Sequence, residues 1–239
     1  MSRWREWFDA GRYLRNLRGW GASADDLHIS YEDPARHGYL RPHPAAPRHL
    51  DIRPVLGRDH HRVESCRLED RDWLAPWESG LPPAVVETLP TMSTYIRRCD
   101  RAARQGTALQ MMIEADGEVV GTVSVSNVQR GALYSASIGY WVHSSIARLG
   151  IGSLAVASVI DLVLTDLGLH RVEVNIRPEN AASLGLARAL GLREEGVRSR
   201  YMFINGSWCD HVSFAIDRES LPPGGLIEVV RARRRGQGR

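Results

Sequence analysis

The sequence predicts an α+β protein built on a mixed, mostly antiparallel sheet with helices on both faces. Asp116-Gly117 and Asn205-Gly206 each separate two stretches in which apolar and polar residues alternate, and this is the pattern of two β-hairpins. Longer apolar stretches with helical spacing lie between other predicted strands. Hairpins give antiparallel neighbours and helical crossovers join parallel ones, so the combination favours a mixed sheet.

Each element is predicted from its own pattern. Residues 50–55 alternate as a strand does, and residues 59–73 have helical spacing that ends before a proline. Thr91 or Ser93 caps the next helix, and Gly106 ends it. The remaining predicted elements are helices over 91–105, 150–167 and 181–190, and strands over 108–115, 119–125, 133–142, 170–176, 194–204 and 208–216.

Length and composition narrow the class of protein. A chain of 239 residues with 43% hydrophobic residues fits one domain with extensions and a sizeable core. All 31 basic residues are arginine, but the net charge is only +3, which argues against a general nucleic-acid surface. Cys66, Cys99 and Cys209 are too few and too widely spaced for a disulfide framework or a zinc site, and the histidines lack metal-ligand spacing. We therefore expect a cytoplasmic protein without a metal.

Both ends of the chain look like additions to that domain. Residues 1–48 are predicted to be an N-terminal extension, in which an amphipathic helix over 1–20 precedes a proline-rich linker. That helix would pack on the domain or on a partner subunit, lie at a membrane interface, or reflect a misassigned start codon. Residues 219–239 are predicted to be a basic tail that brings the protein close to a ribosome or RNA. No apolar run is long enough to span a membrane.

The stretch from Ile138 to Ser183 points to a phosphorylated ligand. A strand ending at Val142 is followed by a turn with Gly150 and Gly152 that opens a long apolar helix. The first amides of a helix are unpaired and its N-terminus is electropositive, so this turn suits a phosphate. A dinucleotide fold would need a third glycine, and a P-loop needs a lysine, which the chain lacks.

These features resemble the GNAT acyltransferases, whose pyrophosphate turn reads Gln/Arg-x-x-Gly-x-Gly/Ala. The resemblance narrows to the RimJ/RimL branch, which acetylates protein N-termini, and it covers roughly residues 49–218. The motifs that carry it are Ile138-Gly139-Tyr140-Trp141-Val142, Asn175-Ile176-Arg177-Pro178-Glu179-Asn180-Ala181-Ala182-Ser183 and Asn205-Gly206-x-Trp208-x-Asp210-His211. The resemblance implies a GNAT fold in which two strands of the sheet splay apart at the cofactor site, and it implies acetyl-CoA (coenzyme A) as the cofactor.

The resemblance also assigns the cofactor residues. Arg148 stands one place after the family's Gln/Arg position, which is Ala147 here. Ser183 is implied as the acid that protonates the departing thiolate, with Asn180 beside it as a second catalytic residue. The cofactor-binding residues implied are Tyr140, Trp141, Val142, Arg148, Leu149, Gly150, Ile151, Gly152, Ser153, Asn175, Asn180 and Ser183.

The acceptor side is implied by a loop that resembles the branch's acceptor loop. Trp73, Trp77, Glu78 and Tyr201 are expected to contact the acceptor, with Glu78 pairing with a cationic amine. The candidate bases are Glu114, Tyr134, Tyr201, Asp210 and His211. An α-amine with a pKa near 7.7 to 8.0 is roughly a fifth neutral around pH 7.3, against about 0.1% for a lysine amine. The absence of an obvious strong base therefore favours an α-amine.

The expected function is acetyl-CoA-dependent N-acetylation of a protein N-terminal α-amine by direct attack, with a ribosomal protein as the implied acceptor. Two alternatives stay open. One is acetylation or succinylation of a small-molecule amine. The other is a catalytically silent acyl-CoA-binding module, favoured by Ala147, Ala189 and the missing base. We expect a monomer or a homodimer.

Overall fold

The computed structural model describes residues 16–82 and 91–237, and eight strands in this part of the chain form one sheet. The strands of the described residues are β1 (Asn16–Leu17), β2 (Ala22–Ser23), β3 (Ile29–Glu32), β4 (His49–Pro54), β5 (Leu109–Ala115), β6 (Glu118–Gln129), β7 (Ser135–Val142), β8 (Arg171–Ile176), β9 (Arg193–Ile204) and β10 (Ser207–Asp217). Along the main sheet they lie in the order β3-β4-β5-β6-β7-β8-β10-β9. The short strands β1 and β2 pair with each other, outside the main sheet.

Helices cover both faces of the sheet. In the described residues they are α1 (His60–Glu69), α2 (Arg71–Leu74), α3 (Met92–Gln105), α4 (Ile151–Leu164), α5 (Ala181–Ala189) and α6 (Gly225–Gln237). Thr91 caps α3 by accepting a hydrogen bond from the Thr94 amide, and Gly106 ends it in a left-handed conformation, as predicted. Both hairpins are also present, since Asp116-Gly117 and Asn205-Gly206 have the positive φ angles that a tight hairpin turn requires.

The sheet is antiparallel except where β7 meets β8. These two strands run parallel and pair over three positions only, from Ser135–Arg171 to Ser137–Glu173. Beyond Ser137, β7 continues for five residues beside β6 while β8 continues beside β10. The sheet is therefore split along the carboxyl ends of its two central strands, which confirms the predicted splay.

The main hydrophobic core lies between the sheet and α4. Every residue of α4 except Gly152 and Ser153 is buried, so the helix is covered by the sheet on one side and by α6 on another. The carboxylate of Asp161 accepts hydrogen bonds from the Leu226 and Ile227 amides (2.8 and 3.0 Å) and thereby caps α6. Because α4 is enclosed in this way, its first turn is held in a fixed position against the end of β7.

Two predictions for the ends of the chain need correction. The predicted linker contains β3, which pairs with β4 as an edge strand, and it places Leu27 and Leu40 in the core. Residues 219–237 are not a free tail, because α6 packs on α4 through the buried Leu226 and Val230.

The amphipathic helix predicted over 1–20 falls mostly outside the described residues. Within its last part, residues 16–20 form a two-residue strand and a 3-10 turn, and Leu17 is buried. Among the described residues, no helix is long and apolar enough to cross a membrane.

Candidate active site

The turn before α4 presents unpaired amides. Gly150 is the N-cap residue with φ +100°, and no side chain caps the helix. The first hydrogen bond of the helix runs from the Leu154 amide to the Gly150 carbonyl (3.0 Å). The amides of Ile151, Gly152 and Ser153 consequently have no acceptor within the described part of the chain. No acidic residue lies in this first turn, so the turn suits a phosphate.

Gly152 lets three elements meet at this point. A Cβ on Gly152 would lie 3.3 Å from Val142 Cγ2 and 3.7 Å from Leu186 Cδ1. The first turn of α4 therefore packs directly against the end of β7 and against α5. A larger residue would push the helix away from the strand.

The free edge of β7 presents alternate backbone groups to the opening. The amide of His143 donates to the Val120 carbonyl on the β6 side (2.8 Å), and the Gly139 carbonyl accepts from the Ser124 hydroxyl of β6. Backbone groups alternate along a strand, so the polar groups of Tyr140 and Val142 point away from β6, towards the gap beside β8. The splay thus leaves the Val142 amide, and not that of Trp141, facing the opening.

Asn180 and Ser183 lie together at the start of α5. Asn180 Oδ1 accepts a hydrogen bond from the Ser183 amide (3.0 Å), so Asn180 is the N-cap of this helix. The Ser183 side chain is half-buried. Burial raises the pKa of the nearby Tyr140 hydroxyl to about 12. The Tyr140 hydroxyl oxygen is shielded from solvent and makes no hydrogen bond to the described residues.

Asn175 has a structural partner on the neighbouring strand. Its Oδ1 accepts from the Ser213 hydroxyl of β10 (2.6 Å). Val174 and Ile176, on either side of it, face the core with α4 and α5. Asn175 therefore lies on the opposite face of the sheet from Ser183.

Trp141 and Trp77 lie on that opposite face. Trp141 packs against a cluster of Val55, Val63 and Met112 under α1, whereas Tyr140 and Val142 pack with the main core. Arg177, at the end of β8, donates to the Pro76 carbonyl (2.8 Å), and its guanidinium stacks on Trp77 at 5.7 Å. This arginine, which the sequence analysis did not single out, ties the loop after α2 to the open end of β8.

The other predicted acceptor residues have different surroundings. Trp73 is 48% exposed and is the kind of side chain that an acceptor would cover. Glu78 accepts from Arg67 Nε (2.8 Å), so its carboxylate already has a cationic partner, and its contact with an acceptor amine stays a prediction. Tyr201 accepts from Arg198 (3.0 Å), and its ring packs edge-on against His211 at 5.7 Å.

The candidate bases differ in what they already bind. Glu114 is held by Arg53 and Arg62 (2.7 and 2.8 Å), and Asp210 accepts from the Arg200 amide. Tyr134 precedes β7, at the end of the strand remote from the opening. Tyr201 is already engaged by Arg198. These contacts leave His211 as the strongest candidate.

His211 has the geometry of a base. Its Nδ1 lies 3.1 Å from the Cys209 carbonyl, which only accepts, so Nδ1 carries the proton. The Nε2 lone pair makes no hydrogen bond to any described residue. His211 is buried, and burial lowers the pKa of its imidazole, which favours the neutral form. Val212 faces the core, so the His211 side chain projects from the opposite face of the sheet, on which Trp141 and Trp77 lie.

A second cavity lies away from this site. An open cleft of about 310 Å³ between α1 and β6 is lined by His61, Arg62, Ser65, Cys66, Glu69, Glu118 and Val119. It contains none of the predicted cofactor or acceptor residues. Within residues 16–82 and 91–237, no group of three or more His, Cys, Asp or Glu residues is placed to hold a metal ion.

Comparison with known families agrees with this geometry. The profile of the acetyltransferase (GNAT) domain matches residues 49–193. The structure of Mycobacterium smegmatis RimJ in complex with CoA-disulfide superimposes with a TM-score of 0.71. That protein is 38% identical, and the match covers 81% of this chain and 92% of the other.

Curated sequences give the same result. The [ribosomal protein uS5]-alanine N-acetyltransferase of Escherichia coli (strain K12) is 29% identical over 180 residues, which are 73% of this chain and 91% of that protein. The probable N-acetyltransferase YjcK of Bacillus subtilis (strain 168) is 37% identical over 102 residues. That match spans 43% of this chain and 56% of the relative.

Proposed function

Because this chain belongs to the GNAT family of acetyltransferases, in its RimJ/RimL branch, we propose that it acetylates the α-amine at the N-terminus of a protein. The protein is an N-acetyltransferase that uses acetyl-CoA. The proposed acceptor is the N-terminus of a ribosomal protein, which is the substrate class named for the Escherichia coli relative. The cytoplasmic location and the choice between monomer and homodimer stay predictions.

One observation carries the proposal: the pairing of β7 and β8 stops at Ser137–Glu173. The opening connects the two faces of the sheet, and different groups lie beside it on each face. On the α4 side it is flanked by the uncapped turn, Tyr140 and Ser183. On the other side it is flanked by the loop of Trp77 and by His211. A thioester held on one face would thus meet an amine that arrives from the other.

The residues fit that cofactor. Acetyl-CoA supplies an acetyl thioester and a phosphate-rich carrier. The free amides of Ile151, Gly152 and Ser153 would hold the pyrophosphate, and the Val142 amide would polarise the thioester carbonyl. Because Gly152 has no side chain, the first turn of α4 lies close to Val142. Arg148, with φ +70° and an exposed side chain, is available to reach a phosphate.

Two side chains would move protons. His211 Nε2 would accept the proton that the attacking amine loses, because its neutral tautomer leaves that lone pair free. The Ser183 hydroxyl would donate to the departing sulfur on the opposite face of the sheet. Asn180 positions Ser183 through the capping hydrogen bond, so its part in catalysis is indirect.

The acceptor class follows from charge. The base available here is a single imidazole, and an imidazole is a weak base for a lysine amine with a pKa near 10.4. An α-amine with a pKa near 7.7 to 8.0 is partly neutral before it binds. The site is therefore suited to N-termini.

The proposal is tested by turnover with acetyl-CoA and paired peptides. We expect peptides with a free ribosomal-protein N-terminus to be acetylated, while the same peptide with a blocked N-terminus and an internal lysine is not. Mass spectrometry of the product would locate the acetyl group. Turnover restricted to small amines, or a marked preference for succinyl-CoA, would contradict the proposal. Tight coenzyme binding without transfer to any amine would point instead to a silent binding module.

A further inference from the structure

The guanidinium of Arg234 on α6 lies against the turn that opens α4. A Cβ on Gly150 would lie 2.5 Å from Arg234 Nη2 and 3.2 Å from its Cζ. Arg234 therefore occupies the space where a side chain at Gly150 would be. It belongs to the segment that the sequence predicts to be a basic tail.

Packing fixes the position of this arginine. Asp161 caps the N-terminus of α6, and Leu226 and Val230 are buried against α4. Arg231, three residues before Arg234, stacks on the Tyr39 ring at 5.5 Å. The last turns of α6 are consequently carried to the N-terminal end of α4, and Arg234 with them.

The backbone of a second arginine, Arg41, is attached to the same turn. The Arg41 amide donates to the Leu149 carbonyl (3.0 Å), so the segment before β4 is anchored to the turn itself. Burial lowers the pKa of Arg234, and the charges of Arg41 and Arg233 lower it further. Because the Arg41 backbone is anchored at Leu149 and the Arg234 guanidinium lies against Gly150, two positive residues lie at a helix N-terminus that is itself electropositive. Such an arrangement is suited to a polyanion.

We propose that Arg234 and Arg41 contact the phosphate groups of coenzyme A and make α6 part of the cofactor site. Both residues lie outside residues 49–193, which match the family profile. Phosphate contacts by guanidinium groups are strong because they are charge-assisted and are often bidentate. The inference rests on the cofactor and not on the acceptor, so it is tested without any acceptor.

The test is calorimetric titration of the full chain with coenzyme A and with 3′-dephospho-coenzyme A. We expect Arg234→Gln to weaken coenzyme A binding about tenfold, and Arg41→Gln several-fold, since each removes one charged contact. Arg234→Lys should recover part of the loss because it keeps the charge. Arg235→Gln is the matched control, because Arg235 is exposed on the same helix turn.

The two titrants locate the contact. If Arg234 binds the 3′-phosphate, Arg234→Gln should bind both titrants with nearly equal affinity. If it binds the pyrophosphate, both affinities should fall by the same factor. Either result supports the proposal. It fails if Arg234→Gln and Arg41→Gln retain their thermal midpoints and bind coenzyme A within about twofold of the Arg235→Gln control.

Discussion

At the scale of single residues, the proposed mechanism assigns one proton transfer to His211 and the other to Ser183, on opposite faces of the sheet. The environment of His211 favours its neutral form, because burial lowers its pKa and the Cys209 carbonyl fixes the proton on Nδ1. A histidine whose folded pKa is depressed stays a base at a pH where a solvated histidine is already protonated. His211 would thus keep working below its ordinary pKa of about 6.5.

The pH dependence of kcat/KM tests this role. In the wild type, log(kcat/KM) should fall with a slope of about one below the acceptor α-amine pKa, and with about two once His211 is protonated, at a pH below about 6.5. His211→Asn keeps a donor for the Cys209 carbonyl but has no base. We expect the variant to lose roughly 100-fold in kcat/KM and to keep the shallow slope. If log(kcat/KM) of the variant still falls with a slope of about two at low pH, His211 is not the base.

Ser183 is tested by separating binding from turnover. Ser183→Ala keeps the backbone amide that Asn180 caps, so coenzyme A binding should be unchanged while kcat falls roughly 100-fold. The exposed Ser30 gives a matched control, Ser30→Ala, which should behave as the wild type. Equal kcat values for the two variants would remove the acid role from Ser183.

At the scale of elements, α6 packs on α4, the helix whose first turn we propose to bind the cofactor. Three of its arginines are used within the molecule. Arg231 stacks on Tyr39, Arg233 donates to the Ala189 carbonyl (3.0 Å), and Arg234 lies at the turn before α4. These contacts compete with the ribosome or RNA association expected of a free basic tail, and that association stays a prediction.

The attachment of α6 depends on Asp161. Asp161→Ala should lower the free energy of unfolding by about 1 to 3 kcal/mol, because two amides at the start of α6 lose their buried acceptor. Chemical denaturation measures this change. Asp161→Asn keeps one acceptor oxygen and should lose less, while Asp166→Ala, on the exposed end of the same segment, should be nearly neutral. Equal stability of Asp161→Ala and Asp166→Ala would contradict this role of Asp161 in attaching α6.

At the scale of the whole molecule, segments on both sides of the family-matched residues 49–193 complete the domain. The N-terminal segment supplies the edge strand β3 and the buried Leu17, Leu27 and Leu40. The C-terminal segment covers α4. Domain limits drawn at 49–218 would therefore cut through a continuous hydrophobic core.

The sequence predicts best those features that depend on residues close together in the chain. Both hairpin turns, the caps of α3 and α5, and the glycines before α4 are specified by residues within a few positions of one another. The strand β3 was missed because its alternation covers only four residues and its partner β4 lies beyond a proline-rich stretch. The pairing of Glu78 with Arg67 depends on how α1 and the following loop fold back, which no local pattern shows.

The sequence by itself determined the fold class, most of the elements and a turn suited to a phosphate, because turn chemistry and periodicity act over short distances along the chain. Only the tertiary structure decided which backbone groups of β7 face the gap, which candidate base keeps a free nitrogen, and where the last helix lies. Those features depend on contacts between residues far apart in sequence, and they are fixed only when the core closes around α4.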